Sequence, residues 1–239
     1  MSKQRLDKFI SNQLIISRSI VRTGIQRGKA LVNDVRVRDA GFLIDVDNDV
    51  IVYEGNQIGY KQYVYILMNK AQGVLSAASD KSRETVVDFV PEHLKRQGIA
   101  PVGRLDKDTT GLLLITDDGV FAHNCISPKK EVPKTYIATL DGDINDEIIN
   151  IFKKGVVLAD GTLCRSATLE RVDKNVARIV ITEGKYHQIK RMFGTVGLGV
   201  NQLHRESIGG LVLPNTLKVG ECIEMTKEEL EKCIFNKKF

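Results

Sequence analysis

The chain has 239 residues, 42% of them hydrophobic, which is enough for one large domain or two smaller ones with their own cores. The net charge is +5, and no segment approaches the ~18 consecutive apolar residues of a membrane helix. The amino terminus lacks an apolar signal segment and the four cysteines form no CxxC pair, so we expect a cytoplasmic protein with reduced thiols and no membrane partner. There is no zinc-ligand spacing, P-loop or dinucleotide-binding glycine motif, so we expect no metal site and no cofactor.

Basic residues crowd the amino-terminal part of the chain. Residues 1–38 contain nine Lys or Arg against two Asp, whereas residues 39–54 contain five acids and no base. A basic face favours an anionic partner, of which nucleic acid is the commonest. Composition alone leaves a solvated charged surface as the alternative.

The first segment is predicted to form a small module of two helices and a hairpin. Leu6, Phe9 and Ile10 recur at helical spacing, and a second helix begins after Ser17 and ends at Gly28. A hairpin over residues 30–38 with its turn at 33–34 follows, and then a strand at 47–54. The predicted RNA-binding residues of this module are Arg18, Arg22, Arg27 and Lys29.

The rest of the chain mixes strands and helices without a repeated strand–helix order. Residues 55–61 (GNQIGYK) are polar and contain glycine, so we interpret them as a linker. Strands are predicted at 63–68, 111–115, 134–140 and 176–182, and helices within 85–96 and at 146–154 and 186–196. This order predicts an antiparallel or mixed sheet with helices on its faces.

The segment GRLDKDTTGLLLITDDG, residues 103–119, places a polar loop directly before an apolar strand. A carboxylate can act as a covalent nucleophile, and a nearby cation keeps it ionised. Asp106 is therefore a candidate for chemistry, with Arg104 two residues away on the same face of an extended segment. The chain contains a second Arg-Leu-Asp at residues 5–7 with no such context, so the longer motif carries the signal.

Two further segments contain candidate site residues. In TEGKYHQIKRMF, residues 182–193, a glycine turn leads into a helix that carries Lys190 on its flank and Arg191 on its polar side. A Lys at a strand end could pair with Asp106 and meet RNA phosphates. Tyr136 in the strand 134–140 could stack on a base that has left its helix, and a core tyrosine is the alternative.

The chain resembles pseudouridine synthases of the RsuA branch, which act on ribosomal RNA. The resemblance covers nearly the whole chain through RLDKFISNQLIISRS, LMNKAQGVLSA, PVGRLDKDTTGLLLITDDG, KTYIATL, TEGKYHQIKRMFGTVG and LHRESIGG. It implies an α+β chain in which a small S4-type RNA-binding domain, residues 1–58, precedes a synthase domain, residues 62–239. The synthase domain is expected to have a mixed, mainly antiparallel sheet flanked by helices. One departure is Ala71 in NKAQG, where the family usually has Pro; proline fixes φ, so we expect a less rigid loop there.

The resemblance also implies the site residues. Asp106 matches the catalytic aspartate, Tyr136 the active-site tyrosine and Lys190 the basic residue near the aspartate. Arg104 and Leu203 match substrate-pocket positions, and Arg191 joins them as a predicted substrate contact. The implied site needs no metal or cofactor.

The implied reaction converts a specific uridine of ribosomal RNA, free or in a ribosomal assembly intermediate, to pseudouridine; no DNA partner is expected. KYHQIKRMF and LHRESIGG favour the small-subunit (16S) RNA, with the large-subunit (23S) RNA as the alternative. The base must leave its stack, at a cost of a few kcal/mol. Attack at C1′, attack at C6 and a glycal route all remain open.

Two other functions compete with this one. Residues 106–110 also fit the DxDxT motif of magnesium-dependent phosphatases, but that site needs an apolar strand running into the first Asp. Here residues 98–103 contain a Pro and two Gly, and the apolar strand follows the Asp instead. A non-catalytic RNA-binding assembly factor is the second rival, and the presence of Asp106, Tyr136 and Lys190 argues against it.

Overall fold

The computed structural model describes residues 3–235, which form two compact units. The first unit comprises residues 3–64 together with 95–98, and the second comprises residues 65–94 and 99–235. Residues 95–98 lie outside the range predicted for the first domain. They contact the first unit through Arg96, whose Nη1 donates to the Lys61 carbonyl at 2.7 Å. No helix within residues 3–235 has the length and apolar character needed to cross a bilayer.

The first unit packs two helices against short strands. Its elements are β1 (Lys3–Arg5), α1 (Leu6–Leu14), α2 (Arg18–Gln26), β2 (Ala30–Val32), β3 (Val35–Val37), β4 (Leu43–Asp45), β5 (Ile51–Tyr53) and β6 (Asn56–Ile58). A sheet in the order β3-β2-β5-β6 and the β1–β4 pair surround a core that includes Leu6, Phe9 and Ile25. Both predicted helices are confirmed, and Gly28 follows α2 with φ 77°, a left-handed conformation that glycine adopts without strain.

The predicted hairpin is confirmed, but the predicted linker is partly wrong. Asn33 and Asp34 have φ 48° and 64°, as a two-residue type I′ turn requires. Glu54 and Gly55 repeat this geometry with φ 51° and 84°, and they join β5 to β6. Residues 56–58, which we interpreted as linker, are therefore the edge strand of the sheet, and the Glu-Gly turn is the signal that the prediction missed.

The Asp7 carboxylate organises the helical face of the first unit. Asp7 is fully buried and accepts hydrogen bonds from the guanidinium groups of Arg5 (3.1 Å), Arg18 (2.9 Å) and Arg22 (2.8 Å). Burial alone would raise the pKa of Asp7, and the three guanidinium groups more than offset it, so the pKa is held far below its usual range. The second Arg-Leu-Asp of the chain is thus a structural ion cluster.

The second unit contains the larger sheet. Its elements are β7 (Tyr65–Lys70), a 3₁₀ turn (Glu92–Leu94), β8 (Ala100–Pro101), β9 (Thr110–Thr116), α3 (Gly119–Ile126), β10 (Lys134–Leu140), α4 (Asp146–Lys154), β11 (Thr168–Asp173), β12 (Val176–Ile181), α5 (Gln188–Gly194), β13 (Val200–Ile208), β14 (Leu211–Val212), β15 (Cys222–Met225) and α6 (Lys227–Phe235). The strand order is β11-β12-β10-β13-β9-β7-β15, with β14 on β13 and β8 on β9. The β13–β9 pair is parallel and the other pairs are antiparallel, so the predicted mixed, mainly antiparallel sheet is confirmed.

Of the three helices predicted in this unit, one has its predicted bounds and two differ from the prediction. The helix Asp146–Lys154 has its predicted bounds, because the Asn145 side chain caps it by accepting from the Ile148 amide at 2.9 Å. The helix predicted within 85–96 is wrong except for the 3₁₀ turn at Glu92–Leu94. The helix predicted at 186–196 is shorter, Gln188–Gly194, because His187 takes a left-handed conformation with φ 47° immediately before it.

The parallel β9–β13 pair depends on Gly111. Its φ is 101°, and a Cβ built there would lie 2.3 Å from the Arg205 carbonyl oxygen. Only glycine allows the two backbones this close approach. The contact sets Thr110 opposite His204, and thereby fixes the loop before β9 beside the middle of β13.

We predict that Asp7→Asn weakens the first unit by about 1–3 kcal/mol, because a buried anion with three charged donors is replaced by a neutral amide. Amide exchange over residues 6–26, measured by mass spectrometry on the full chain, should accelerate, while exchange in the second unit should not change. Since the folded pKa of Asp7 is depressed, its contribution is present above the unfolded pKa of about 3.9 and is lost as pH falls through the folded pKa. Asp47→Asn, the same charge change at an exposed position of this unit, serves as the control; equal exchange in the two variants would contradict the cluster's role.

Candidate functional site

The polar loop before β9, residues 104–110, is held by the segment that follows β7. The Ser76 hydroxyl donates to the Leu105 carbonyl at 2.8 Å and accepts from the Leu105 amide at 3.1 Å. The Gly73 amide donates to the Lys107 carbonyl at 2.8 Å. These bonds tie Gly73, the last residue of NKAQG, and Ser76 beyond it to the loop, even though Ala71 stands where the family usually has proline.

The Lys70 ammonium lies at the centre of these contacts. Lys70 is fully buried at the end of β7, and the three N–H groups of its Nζ are shared among four carbonyl oxygens: Ala71 (3.0 Å), Asp106 (3.2 Å), Lys107 (3.3 Å) and Thr109 (2.9 Å). Burial lowers the pKa of Lys70 to about 8, and the nearby Asp106 and Asp108 carboxylates oppose this shift. The group is therefore still mostly an ammonium at neutral pH, able to bind several carbonyls at once.

Asp106 faces two basic side chains from the start of α5. Its Oδ1 lies 3.4 Å from His187 Nε2, and its Oδ2 lies 3.7 Å from Lys190 Nζ. Lys190 bonds more closely to Asp108, at 2.5 and 2.6 Å, and this ammonium holds the pKa of Asp108 below its usual range. The expected Asp106–Lys190 pair is thus present, but the same ammonium also binds Asp108, and it lies closer to Asp108 than to Asp106.

A cavity of about 90 Å³ opens beside Asp106. Five of the predicted site residues line it: Arg104, Asp106, Tyr136, Lys190 and Leu203. A shallower cavity of about 470 Å³ adjoins it on the side of Lys107 and Asp108, and Asp106, His187 and Lys190 line both. The combined space is open and has both polar and apolar walls, with the Asp106 carboxylate and the Lys190 ammonium at the junction of the two cavities.

Tyr136 is supported from behind by a buried arginine. Tyr136 pairs with Arg205 across β10 and β13, and the Arg205 guanidinium carbon lies 5.9 Å from the centre of its ring. Arg205 Nη1 lies 3.5 Å from the phenol oxygen, and Nε donates to the Leu112 carbonyl at 2.8 Å. Nη2 is buried and has no hydrogen-bond partner within residues 3–235.

The remaining predicted contacts lie elsewhere. Arg191 is not among the residues that line either cavity near Asp106; it donates to Asp160 at 2.5 Å and to the Tyr186 carbonyl at 3.3 Å. In the first unit, Arg18 and Arg22 bind Asp7, and Lys29 binds Glu54 at 2.5 Å. Arg27 is exposed, as are the other three predicted RNA contacts.

A larger cavity, about 860 Å³, lies away from these residues, with Lys129, Lys130 and Ile234 in its wall. None of the predicted site residues lines it, although Lys129, Lys130, Glu131 and Glu231 give it charges of both signs. We therefore assign the candidate site to the smaller cavities at Asp106. Within residues 3–235, no three His, Cys, Asp or Glu side chains are grouped so that they could hold a metal ion.

Sequence reasoning missed Lys70, His187 and Arg205 as members of the site. Lys70 and Arg205 lie within the quoted segments LMNKAQGVLSA and LHRESIGG, but nothing in their sequence shows that both side chains are buried. His187 precedes a helix, and its contact with Asp106 depends on the left-handed backbone at that position.

Comparisons with known proteins agree with this geometry. The family model for RNA pseudouridylate synthases matches residues 64–195, and the S4 domain model matches residues 4–51. The chain is 40% identical over 232 residues to "Ribosomal small subunit pseudouridine synthase A" of Escherichia coli strain K12, covering 96% of this chain and all of that protein. It is also 40% identical over 231 residues to "Uncharacterized RNA pseudouridine synthase YtzG" of Bacillus subtilis strain 168, covering 95% and 96% of the two chains.

Among solved structures, one titled "Crystal structure of pseudouridylate synthase" matches with a TM-score of 0.67 and 34% identity, covering 96% of this chain and 99% of that chain. The fold and the site thus define an RNA-modifying enzyme with a separate RNA-binding domain. The chain belongs to the RNA pseudouridine synthase family and carries an S4 domain at its amino-terminal end.

We predict that Lys70→Met loosens the loop and lowers the stability of the second unit by about 1–3 kcal/mol, because buried carbonyls lose their donor. Amide exchange at residues 104–110 and the thermal unfolding of the full chain measure the two effects. Lys107→Met, which removes an exposed ammonium from the same loop, should leave both unchanged. A Lys70→Met protein with native exchange in the loop would show that Lys70 does not hold it.

Proposed function

We propose that this enzyme isomerises a specific uridine of small-subunit ribosomal RNA to pseudouridine. The similarity to the Escherichia coli small-subunit enzyme carries the choice of RNA, because it covers 96% of this chain and all of that protein. The cavity around Asp106 supports the chemistry. Ribosomal RNA, free or within an assembly intermediate, is accordingly the proposed partner.

The reaction is an isomerisation: the product has the same composition as uridine, although one hydrogen of the base is exchanged with solvent. The bond between N1 and C1′ of the ribose breaks, the base turns, and C5 joins C1′ while the hydrogen on C5 leaves and N1 regains one. The uridine must first leave its stack, and an RNA loop that is already unpaired lowers that cost of a few kcal/mol. A cavity of about 90 Å³ that continues into one of about 470 Å³ leaves room for a nucleotide that enters from solvent.

Three groups are proposed to act on the uridine. The Asp106 carboxylate acts at the glycosidic bond, and the Lys190 ammonium, 3.7 Å away, orients it. Tyr136, whose ring lines the cavity, stacks on the flipped base, and Arg205 fixes that ring from behind. Arg104 and Leu203 complete the wall around the uridine, and Arg191 supports the α5 side of the site.

The S4 domain is proposed to supply affinity. Phosphate contacts add binding energy and salt dependence but little sequence information. Arg18 and Arg22 are half exposed while bound to Asp7, so they can present guanidinium edges to a phosphate without losing that carboxylate. Arg27 and Lys29 extend the same basic stretch of sequence, with Glu54 competing for Lys29.

Pseudouridine mapping of total ribosomal RNA tests the assignment. Cells that lack this protein should lose pseudouridine at one position of the small-subunit RNA, and the purified enzyme should restore it. Loss of a position in the large-subunit RNA instead would redirect the substrate and keep the activity. If no position changed and purified enzyme released no tritium from ribosomal RNA labelled at uridine C5, the proposal would be wrong.

Two neighbouring aspartates provide a matched test of the catalytic group. Asp106→Asn should lower pseudouridine formation by at least about 10³-fold, because it removes the charge that acts on the uridine. Asp108→Asn removes the other carboxylate that binds Lys190, so the change in charge is the same, and it should keep activity within about tenfold of the native enzyme. Tritium release under single-turnover conditions measures both, and equal losses in the two variants would contradict a special role for Asp106.

A further inference from the structure

Tyr186 is an aromatic side chain at the edge of the site that no step of the proposed reaction uses. It is 67% exposed, more than any of the other five tyrosines, and it immediately precedes His187, which contacts Asp106. A single exposed aromatic residue is ordinary on a protein surface. Its fixed orientation and its neighbours distinguish this one.

The Tyr186 ring has a stacking partner within the protein, and its backbone is anchored. It stacks on the His187 ring, with ring centres 3.9 Å apart and planes inclined by 17°. The left-handed backbone at His187 makes this stacking of adjacent residues possible. Arg191 donates to the Tyr186 carbonyl and is itself anchored on Asp160.

The loop on the other side of Tyr186 is equally constrained. The Gln188 side chain accepts from the Lys185 amide at 2.9 Å and donates to Glu183 at 2.8 Å, and Lys185 also binds Glu183. A ring that is already immobilised loses little conformational entropy when a ligand stacks on it. The geometry is therefore that of a rigid platform.

The charges around the platform are already balanced. Lys185 pairs with Glu183, Lys190 with Asp108 and Arg191 with Asp160. A phosphate would have to displace one of these carboxylates, whereas the outer face of Tyr186 is open. The open face suits a nucleobase, since every base stacks on an aromatic ring regardless of its sequence identity.

We propose that Tyr186, stacked on His187, binds the base of a nucleotide adjacent to the target uridine and so holds the strand while the uridine occupies the cavity at Asp106. This inference rests on the proposed function. His187 belongs to both the platform and the cavity wall, so the stacked neighbour and the flipped uridine lie on either side of one imidazole. Tyr186 thereby contributes to binding of the RNA and takes no part in bond making.

The kinetic test uses tritium release from small-subunit ribosomal RNA transcribed with uridine labelled at C5. Tyr186→Ala should raise KM about fivefold or more with a smaller change in kcat, whereas Tyr186→Phe, which keeps the ring, should match the native enzyme. Equal losses in both variants would assign the effect to the hydroxyl and overturn stacking. Unchanged kinetics of Tyr186→Ala, or a loss confined to kcat, would also overturn it.

A spectroscopic test is available because the chain contains no tryptophan. Tyr186→Trp in the Asp106→Asn background gives a single tryptophan at the platform, which can be excited selectively over the remaining tyrosines, and its fluorescence should be quenched on addition of the same RNA. Val120→Trp, at a position that is 73% exposed on α3, serves as the control and should not be quenched. Quenching of neither or both emitters would contradict the platform, while absence of tritium release by the native enzyme would refute the proposed function separately.

Discussion

The buried ammonium of Lys70 is the interaction on which the candidate site depends. It binds four carbonyl oxygens, three of them from the loop that carries Asp106, and these bonds restrain the polar loop before β9. Gly111 adds the second constraint, because its lack of a side chain lets β13 run against the start of β9. Together they present the Asp106 carboxylate between α5 on one side and β10 on the other. The apolar strand after the loop, Thr110–Thr116, supports the polar segment from behind.

Charge sharing is the common feature of the two units. In the first, one buried Asp7 carboxylate orders three guanidinium groups; in the second, one Lys190 ammonium serves two carboxylates. Both arrangements leave charged edges exposed to solvent, and exposed edges of this kind are what an RNA backbone can approach. The same pairs also limit how much free positive charge the surface offers. The open aromatic face at Tyr186 becomes more important for that reason.

Local signals predicted the elements whose ends are set by neighbouring residues. The strand Lys134–Leu140 and the helix Asp146–Lys154 have their predicted bounds, since alternation fixes the first and the Asn145 cap fixes the second. The motif around Asp106 likewise predicted, from local sequence, a polar loop followed by an apolar strand. The strand Val200–Ile208 could not be predicted, because its largely polar sequence pairs with residues 69 and 94 positions away in the chain, at Tyr136↔Arg205 and Thr110↔His204. Lys70, His187 and Arg205 owe their roles to that long-range assembly, which a linear pattern does not contain.

The central claim is that Lys70 delivers Asp106 to the uridine by holding the loop. The most direct test is the single-turnover rate of pseudouridine formation by Lys70→Met, with enzyme in excess over ribosomal RNA and RNA binding measured alongside. Displacement of a catalytic group by about 1 Å can cost about 10²-fold in rate, so the rate constant should fall by about 10- to 100-fold while Kd for RNA stays unchanged. A native rate constant in a variant whose loop amides exchange faster would contradict the account.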